Sequence, residues 1–248
     1  MINNHQPNLK NTMKTKQAIA VICGTMVWAG AALAQTFETN FTFSVNAAIP
    51  DGSIFGLTQA TNLMVAPIGN SAISDVTVSL DISGGYNGDL YGYLAGPNGL
   101  GFAILLDRVG VSNSASASGY GDSGFNVTFS SAAANSIQYY QNYTNPAGGA
   151  VFGTWLPEGV NIIPTTNDPT AFLDASPTAT LSSFTGDDAN GVWTLFLADL
   201  SSGGQSTLVS WQLDVTTVPE PQTWVLGVIS LLALAGVRCW RHRRQFQD

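Results

Sequence analysis

Residues 35–217 predict an all-β fold, an antiparallel sandwich or barrel. Three observations carry this. Apolar and polar residues alternate with period two through several short runs. Clusters of Gly, Asn and Pro separate the runs. No ten-residue stretch between them carries a helical apolar stripe with a cap.

Taken in order, FTFSV (41–45) opens the series of strands. In DVTVSLDI (75–82), Val76, Val78, Leu80 and Ile82 share one face, and Asp75, Thr77, Ser79 and Asp81 the other. FNVTF repeats the pattern with Phe125, Val127 and Phe129. VWTLFLADL turns Trp193, Leu195 and Leu197 inward, and SWQLDV does so with Trp211, Leu213 and Val215. Gly84-Gly85, Pro97-Asn98-Gly99, Ala189-Asn190-Gly191 and Gly203-Gly204 mark the turns. The segment 133–163 breaks the pattern. It is irregular and holds Tyr139, Tyr140 and Tyr143, so it reads as an inserted loop. Its tyrosines either form a binding platform or pack over one end of the sandwich.

Composition narrows the function. The chain has 248 residues, 45% hydrophobic and only 10% charged. Every lysine lies at or before Lys16, and Arg238, Arg241, Arg243 and Arg244 crowd the C-terminus. Between Gln35 and Gln222, Arg108 is the one basic residue against fifteen acidic ones. A nucleic-acid surface needs clustered Lys and Arg to displace counterions, so nucleic acid is excluded as a partner. The two cysteines, Cys23 and Cys239, both lie outside 35–217. That region therefore has neither disulfide nor thiolate chemistry.

The two ends read as addresses. Lys14 and Lys16 precede an apolar run, Ala18 to Ala31, and Ala32-Leu33-Ala34 offers small residues at the recognition positions. Residues 1–34 thus predict an export signal cut between Ala34 and Gln35, for the Sec machinery, with Met13 as an alternative start. A first membrane helix is the other reading. At the far end, residues 221–237 are uncharged and, as a helix, would rise roughly 25 Å, near the thickness of a hydrocarbon core. Trp224 and Trp240 suit the interfaces and the arginines suit the cytoplasmic side, giving a transmembrane helix at about 223–240. The folded region would then lie outside the cell.

This tail, residues 218–248, resembles the PEP-CTERM sorting signal of exopolysaccharide-producing bacteria. The likeness rests on Val218-Pro219-Glu220-Pro221, the apolar span, and the basic cluster Arg241-His242-Arg243-Arg244. It implies handling by an exosortase-type membrane transpeptidase at Pro219, Glu220 and Pro221. The destination would be the cell envelope, outer surface or extracellular matrix, with at least transient anchoring.

Residues 35–217 carry a second resemblance. In order come IPDG (49–52), ISDVTVSLDI (73–82), GDLYGYLAGPNG (88–99), ILLDRVG, GFNVTF, GTWLPEG, LSSFTGDDANGVWTLFLAD and TLVSWQLDV. The series is similar to the P domain, or Homo B domain, that accompanies the catalytic domain of kexin- and furin-like proprotein convertases. It implies a jelly-roll-like antiparallel β-sandwich. It also implies a tight hairpin turn at Gly191 and core anchors at Trp193 and Trp211. Two positions depart from that family: Gly84-Gly85 stand near its His, and Ser130-Ser131 near its Asp pair.

Proteolysis is the activity this association suggests, and the residues argue against it. A Ser-His-Asp site needs an imidazole, but His5 and His242 both lie outside 35–217. The same region lacks Lys and Cys, which removes Ser-Lys and Cys-His chemistry. Asp187 and Asp188 are adjacent, in a DDANG that favours Asp for turn geometry alone. The expectation is therefore a non-catalytic domain with a binding or structural role. Its partner would be exopolysaccharide or, in the alternative, a subtilisin/kexin-like serine endopeptidase that it stabilises or targets. Ca²⁺ is the metal to expect, because it takes six to eight oxygen ligands and this region is rich in them. The candidate clusters are Asp187 and Asp188 with Asn190, and Asp81 and Asp89 with Asn87. Solvated turn carboxylates are the plain alternative.

Overall fold

Among the described residues there are nine strands, and most alternate because each run can bury one face and wet the other. In the computed structural model they are β1 (Phe37–Ala48), β2 (Ser53–Leu63), β3 (Ala72–Gly84), β4 (Leu90–Ala95), β5 (Phe102–Asp107), β6 (Phe125–Phe129), β7 (Val151–Trp155), β8 (Gly191–Asp199) and β9 (Ser206–Val218). The structure describes residues 36–67, 71–111, 118–161 and 176–219, with Ser230, Ala233, Leu234 and Gly236. The chain divides into two units, 1–35 and 36–248.

Two sheets form, in the orders β1-β9-β3-β6-β7 and β2-β8-β4-β5. The molecule is the expected all-β sandwich. Val76, Val78, Leu80 and Ile82 are each at most 1% exposed, and Phe125, Phe129, Trp193, Leu195, Leu197, Leu213 and Val215 are fully enclosed. These residues belong to one continuous core. Trp211 anchors it from β9, with Phe43 of β1 stacked on its indole at 4.4 Å and 24°. Trp193 anchors it from β8, where its indole N–H donates to the Ala189 carbonyl at 2.9 Å.

Three expectations need correction. The sandwich is not wholly antiparallel, because β7 runs parallel to β6 from Phe125↔Val151 to Phe129↔Trp155. A parallel neighbour requires a crossover, and the 130–150 connection supplies it. The Tyr-rich segment is therefore no simple insertion. It holds β7 and a 3₁₀ turn at Ile137–Asn142, with Ile137 and Tyr140 fully buried. Of its tyrosines, Tyr143 is exposed, whereas Tyr140 belongs to the core. Gly191 does not sit in a hairpin turn between paired strands. It opens β8, which pairs with β2 and β4, at φ +130°. A Cβ there would stand 2.9 Å from Cβ of Pro97, so close approach is what requires glycine.

Most of the terminal segments fall outside the described residues, including Ala34, Gln35, Glu220 and Pro221. Pro219 is described and follows β9 directly. Ser230, Ala233, Leu234 and Gly236 are helical, and among the described residues no helix is long and apolar enough to cross a membrane.

Candidate functional site

The first candidate metal cluster is a turn. Asp188 is exposed and accepts from the Asn190 backbone N–H at 2.9 Å. The Asn190 side-chain oxygen accepts from the N–H groups of Val65 and Ala66, at 2.8 and 3.1 Å, and its amide nitrogen donates to the Ala66 carbonyl. Asn190 is a clamp on the chain leaving β2. With both lone-pair directions engaged, its oxygen offers no metal ligand.

The second cluster separates. Asp81 lies on the outer side of β3, opposite Asn126 and Ser210, in a shallow hollow that also includes Ser79 and Gln212. Asn87 is fully buried. Its amide donates to the Gly124 carbonyl and the Tyr140 hydroxyl, while its oxygen accepts from the Gly124 N–H at 2.8 Å. Asp89 enters a different cleft, about 350 Å³, shared with Tyr86, Tyr120, Ser201 and Ser202. Among the described residues, no three His, Cys, Asp or Glu side chains stand in an arrangement that could hold a metal ion.

Asp89 instead joins an electrostatic group at the end of β8. Burial raises its pKa, against a hydrogen bond from Ser201 and the charge of Arg108. Asp199 lies fully buried in register with Leu90 and Ser53. Its Oδ2 accepts from the Ser206 hydroxyl at 3.1 Å, and among the described residues its Oδ1 has no partner. Burial pushes Asp199 up to about 6, with the charges of Asp89 and Asp51 adding. This group stores repulsion at one end of the sandwich. It contains no imidazole, amine or thiol to carry a proton.

The feature that period-two reading passed over is the outer face of the four-stranded sheet. By register, Thr58, Ala60 and Asn62 of β2 share this face with Val192, Thr194, Phe196 and Ala198 of β8. Tyr91, Tyr93 and Ala95 of β4 continue it, as do Phe102, Ile104 and Asp107 of β5. Asp107 is enclosed, so among the described residues the accessible part carries no charge. Tyr93 is its centre, 5.0 Å from Phe196 (stacked, 20°) and 5.0 Å from Phe102. Tyr91 stands edge-on to Tyr93 at 6.1 Å and to Phe196 at 6.4 Å. All four rings are half-buried. The signal was present in LYGYLA and VWTLFL: aromatic residues occupy the phase that in β3 carries Asp, Ser and Thr.

No protein-family model matches the chain, and no curated protein matches it as a relative. Among solved structures it is similar to the serine protease of Aeromonas sobria in complex with a chaperone, at 16% identity and TM-score 0.44, over 82% of this chain and 30% of that one. The same protease without the chaperone gives 16% identity and TM-score 0.42, over 78% and 29%. The chain thus spans under a third of those proteins. Likeness at this level assigns neither family nor activity.

Proposed function

We propose that residues 36–218 form an exported, non-catalytic binding sandwich whose uncharged aromatic face holds a neutral polysaccharide of the cell surface or matrix. The observation that carries this is Tyr93 set between Phe102 and Phe196 on a sheet face without accessible charge. Pyranose rings present flat C–H faces that lie well on aromatic rings. A long sheet face accepts a polymer where a deep pocket would select a monomer. The export signal and sorting tail support delivery to such a polymer. The confinement of His, Lys and Cys to the chain ends supports binding without turnover.

The test is retention of the purified chain on the producing cell's own exopolysaccharide. Tyr93→Ala and Phe196→Ala should each weaken retention about tenfold, the loss of roughly one aromatic contact, with an unchanged circular dichroism spectrum. Retention equal to wild type in both variants defeats the reading.

The P-domain-like motifs favour a second reading, in which this face docks a separate serine endopeptidase. Capture of such a protease by wild type and not by Tyr93→Ala, with no polysaccharide retention, would select it.

A further inference from the structure

Asp107 ends β5 with its side chain on the same sheet face as Tyr91. It is nevertheless completely enclosed, because the chain beyond β7 lies across β5. The Glu158 N–H donates to the Leu105 carbonyl at 3.3 Å and the Gly159 N–H to the Ile104 carbonyl at 3.0 Å. This crossing segment brings a second carboxylate, Glu158, which is 6% exposed and accepts from the Val160 N–H at 2.6 Å.

Among the described residues, neither oxygen of Asp107 has a hydrogen-bond partner. A third buried acceptor is orphaned beside the same turn. Gln138, 3% exposed, donates its amide N–H groups to the carbonyls of Arg108 and Val111, leaving its Oε1 without a partner. Buried acceptors are almost always satisfied, because stripping them of water without replacement is costly.

We propose that Asp107 and Glu158 form a buried divalent-cation site of the Ca²⁺ type, which straps the 156–160 segment onto β5. Two carboxylates match the charge of one divalent ion, and the further oxygens that Ca²⁺ requires are neutral. Gln138 Oε1, on a side chain bonded to the carbonyl next to Asp107, would be one such acceptor. A cleft of about 410 Å³ has Glu158 in its lining, together with Ser131, Ser136, Thr180 and Ser182 and the apolar Leu156, Pro157 and Pro177. It provides an entry route and room for water ligands.

The electrostatics agree. Without a cation, burial pushes Asp107 up to about 9, with the charge of Glu158 adding and Arg108 opposing. Burial likewise pushes Glu158 up to about 7. Tyr91, opposite Asp107, and Tyr139, near Glu158, are acids too and bring no positive charge. Arg108 supplies one cation against two carboxylates, and its Nε–H already donates to the Gly88 carbonyl.

Isothermal titration of the purified, chelator-treated chain with CaCl₂ tests this. Wild type should bind one Ca²⁺ and gain melting temperature on binding. Asp107→Asn and Glu158→Gln should each lower the affinity at least about tenfold. Both are near-isosteric neutral changes, and in chelator both should melt at or above the wild-type temperature. Absence of Ca²⁺ binding by wild type overturns the proposal. So does binding that survives both substitutions, which would put the ion elsewhere.

Discussion

The hydroxyl of Tyr140, in the crossover that joins β6 to β7, donates over 2.8 Å to Oδ2 of Asp122, in the chain that leads into β6. Asp122 also accepts from the Gln141 side chain at 2.6 Å and from the Gly148 N–H at 2.9 Å. Tyr140 in turn receives the Asn87 amide at 3.3 Å. A tyrosine from the segment expected to be an insertion thus ties the crossover to the turn before β4.

Tyr140→Phe keeps the ring packed on Phe125 and Tyr120 and removes the hydroxyl. A hydrogen bond to a charged acceptor is worth about 1.5–3 kcal/mol, and denaturant unfolding should show a loss of that size. Acid sensitivity should change as well. Burial opposes ionisation of Asp122, but its three donors outweigh that and lower its pKa. The stability this gives is present above the ordinary aspartate pKa and lost below it. The variant should therefore lose less further stability on acidification than wild type. An unchanged denaturation midpoint would show the bond to be idle.

Gly191→Ala tests a different kind of constraint. The added methyl meets Cβ of Pro97 at 2.9 Å, and φ of +130° is unfavourable for any side chain. Strain of this kind costs of order 1–3 kcal/mol. Gly186 has φ +90°, and a methyl placed there would meet nothing within 4 Å, so Gly186→Ala isolates the backbone effect. Thermal melts should rank Gly191→Ala below Gly186→Ala, and both below wild type. Equal melts for the two variants would remove the role given to Pro97.

Much of the sandwich could be read from the chain, because the core needs only alternation. Val76 to Ile82, Phe125 to Phe129, Trp193 and Trp211 lie where period two puts them. The direction of β7 could not be read. VFGTW buries Val151 and Trp155 and exposes the three residues between, so it lacks alternation. Its parallel pairing depends on the crossover, not on local pattern. Turn asparagines misled for a related reason. Asn87 and Asn190 look like oxygen ligands beside aspartates, but their oxygens are taken by backbone N–H groups 37 and about 125 residues away. Asp107 gave no signal, since the chain that covers it arrives fifty residues later, at Glu158.

The Asn190 clamp gives a prediction that separates structure from metal binding. Asn190→Ala abandons the N–H groups of Val65 and Ala66, both of them buried residues. Leaving buried donors unsatisfied costs about 1–3 kcal/mol, and the melting temperature should fall accordingly. Asp188→Ala loses one exposed turn contact and should stay within about 0.5–1 kcal/mol of wild type. Neither substitution should alter the response to Ca²⁺. A Ca²⁺-dependent stabilisation abolished by Asp188→Ala would make the turn a metal site after all.

Buried acids also fix how stability changes with pH in the absence of divalent cations. Asp107, Asp199 and Glu158 leave their ordinary values of 3.8, 3.8 and 4.5 for about 9, 6 and 7, each chiefly through burial. Between the unfolded and folded values the folded chain holds the extra protons. The slope of unfolding free energy against pH is then negative. Stability should be greatest near the ordinary carboxylate range and fall in steps as pH rises, flattening above about 9. Asp122 acts in the opposite sense only below that range. Asp199→Asn should remove the step that ends near 6, and Asp107→Asn the one that ends near 9. Saturating Ca²⁺ should flatten the part due to Asp107 and Glu158 and leave the Asp199 step in place, because Asp199 lies on the opposite, inner face of the sheet. Urea midpoints measured in chelator from about pH 4 to 10 would display this profile. Midpoints that rise between those limits would mean that these carboxylates are ionised in the fold, held so by a positive charge other than Arg108.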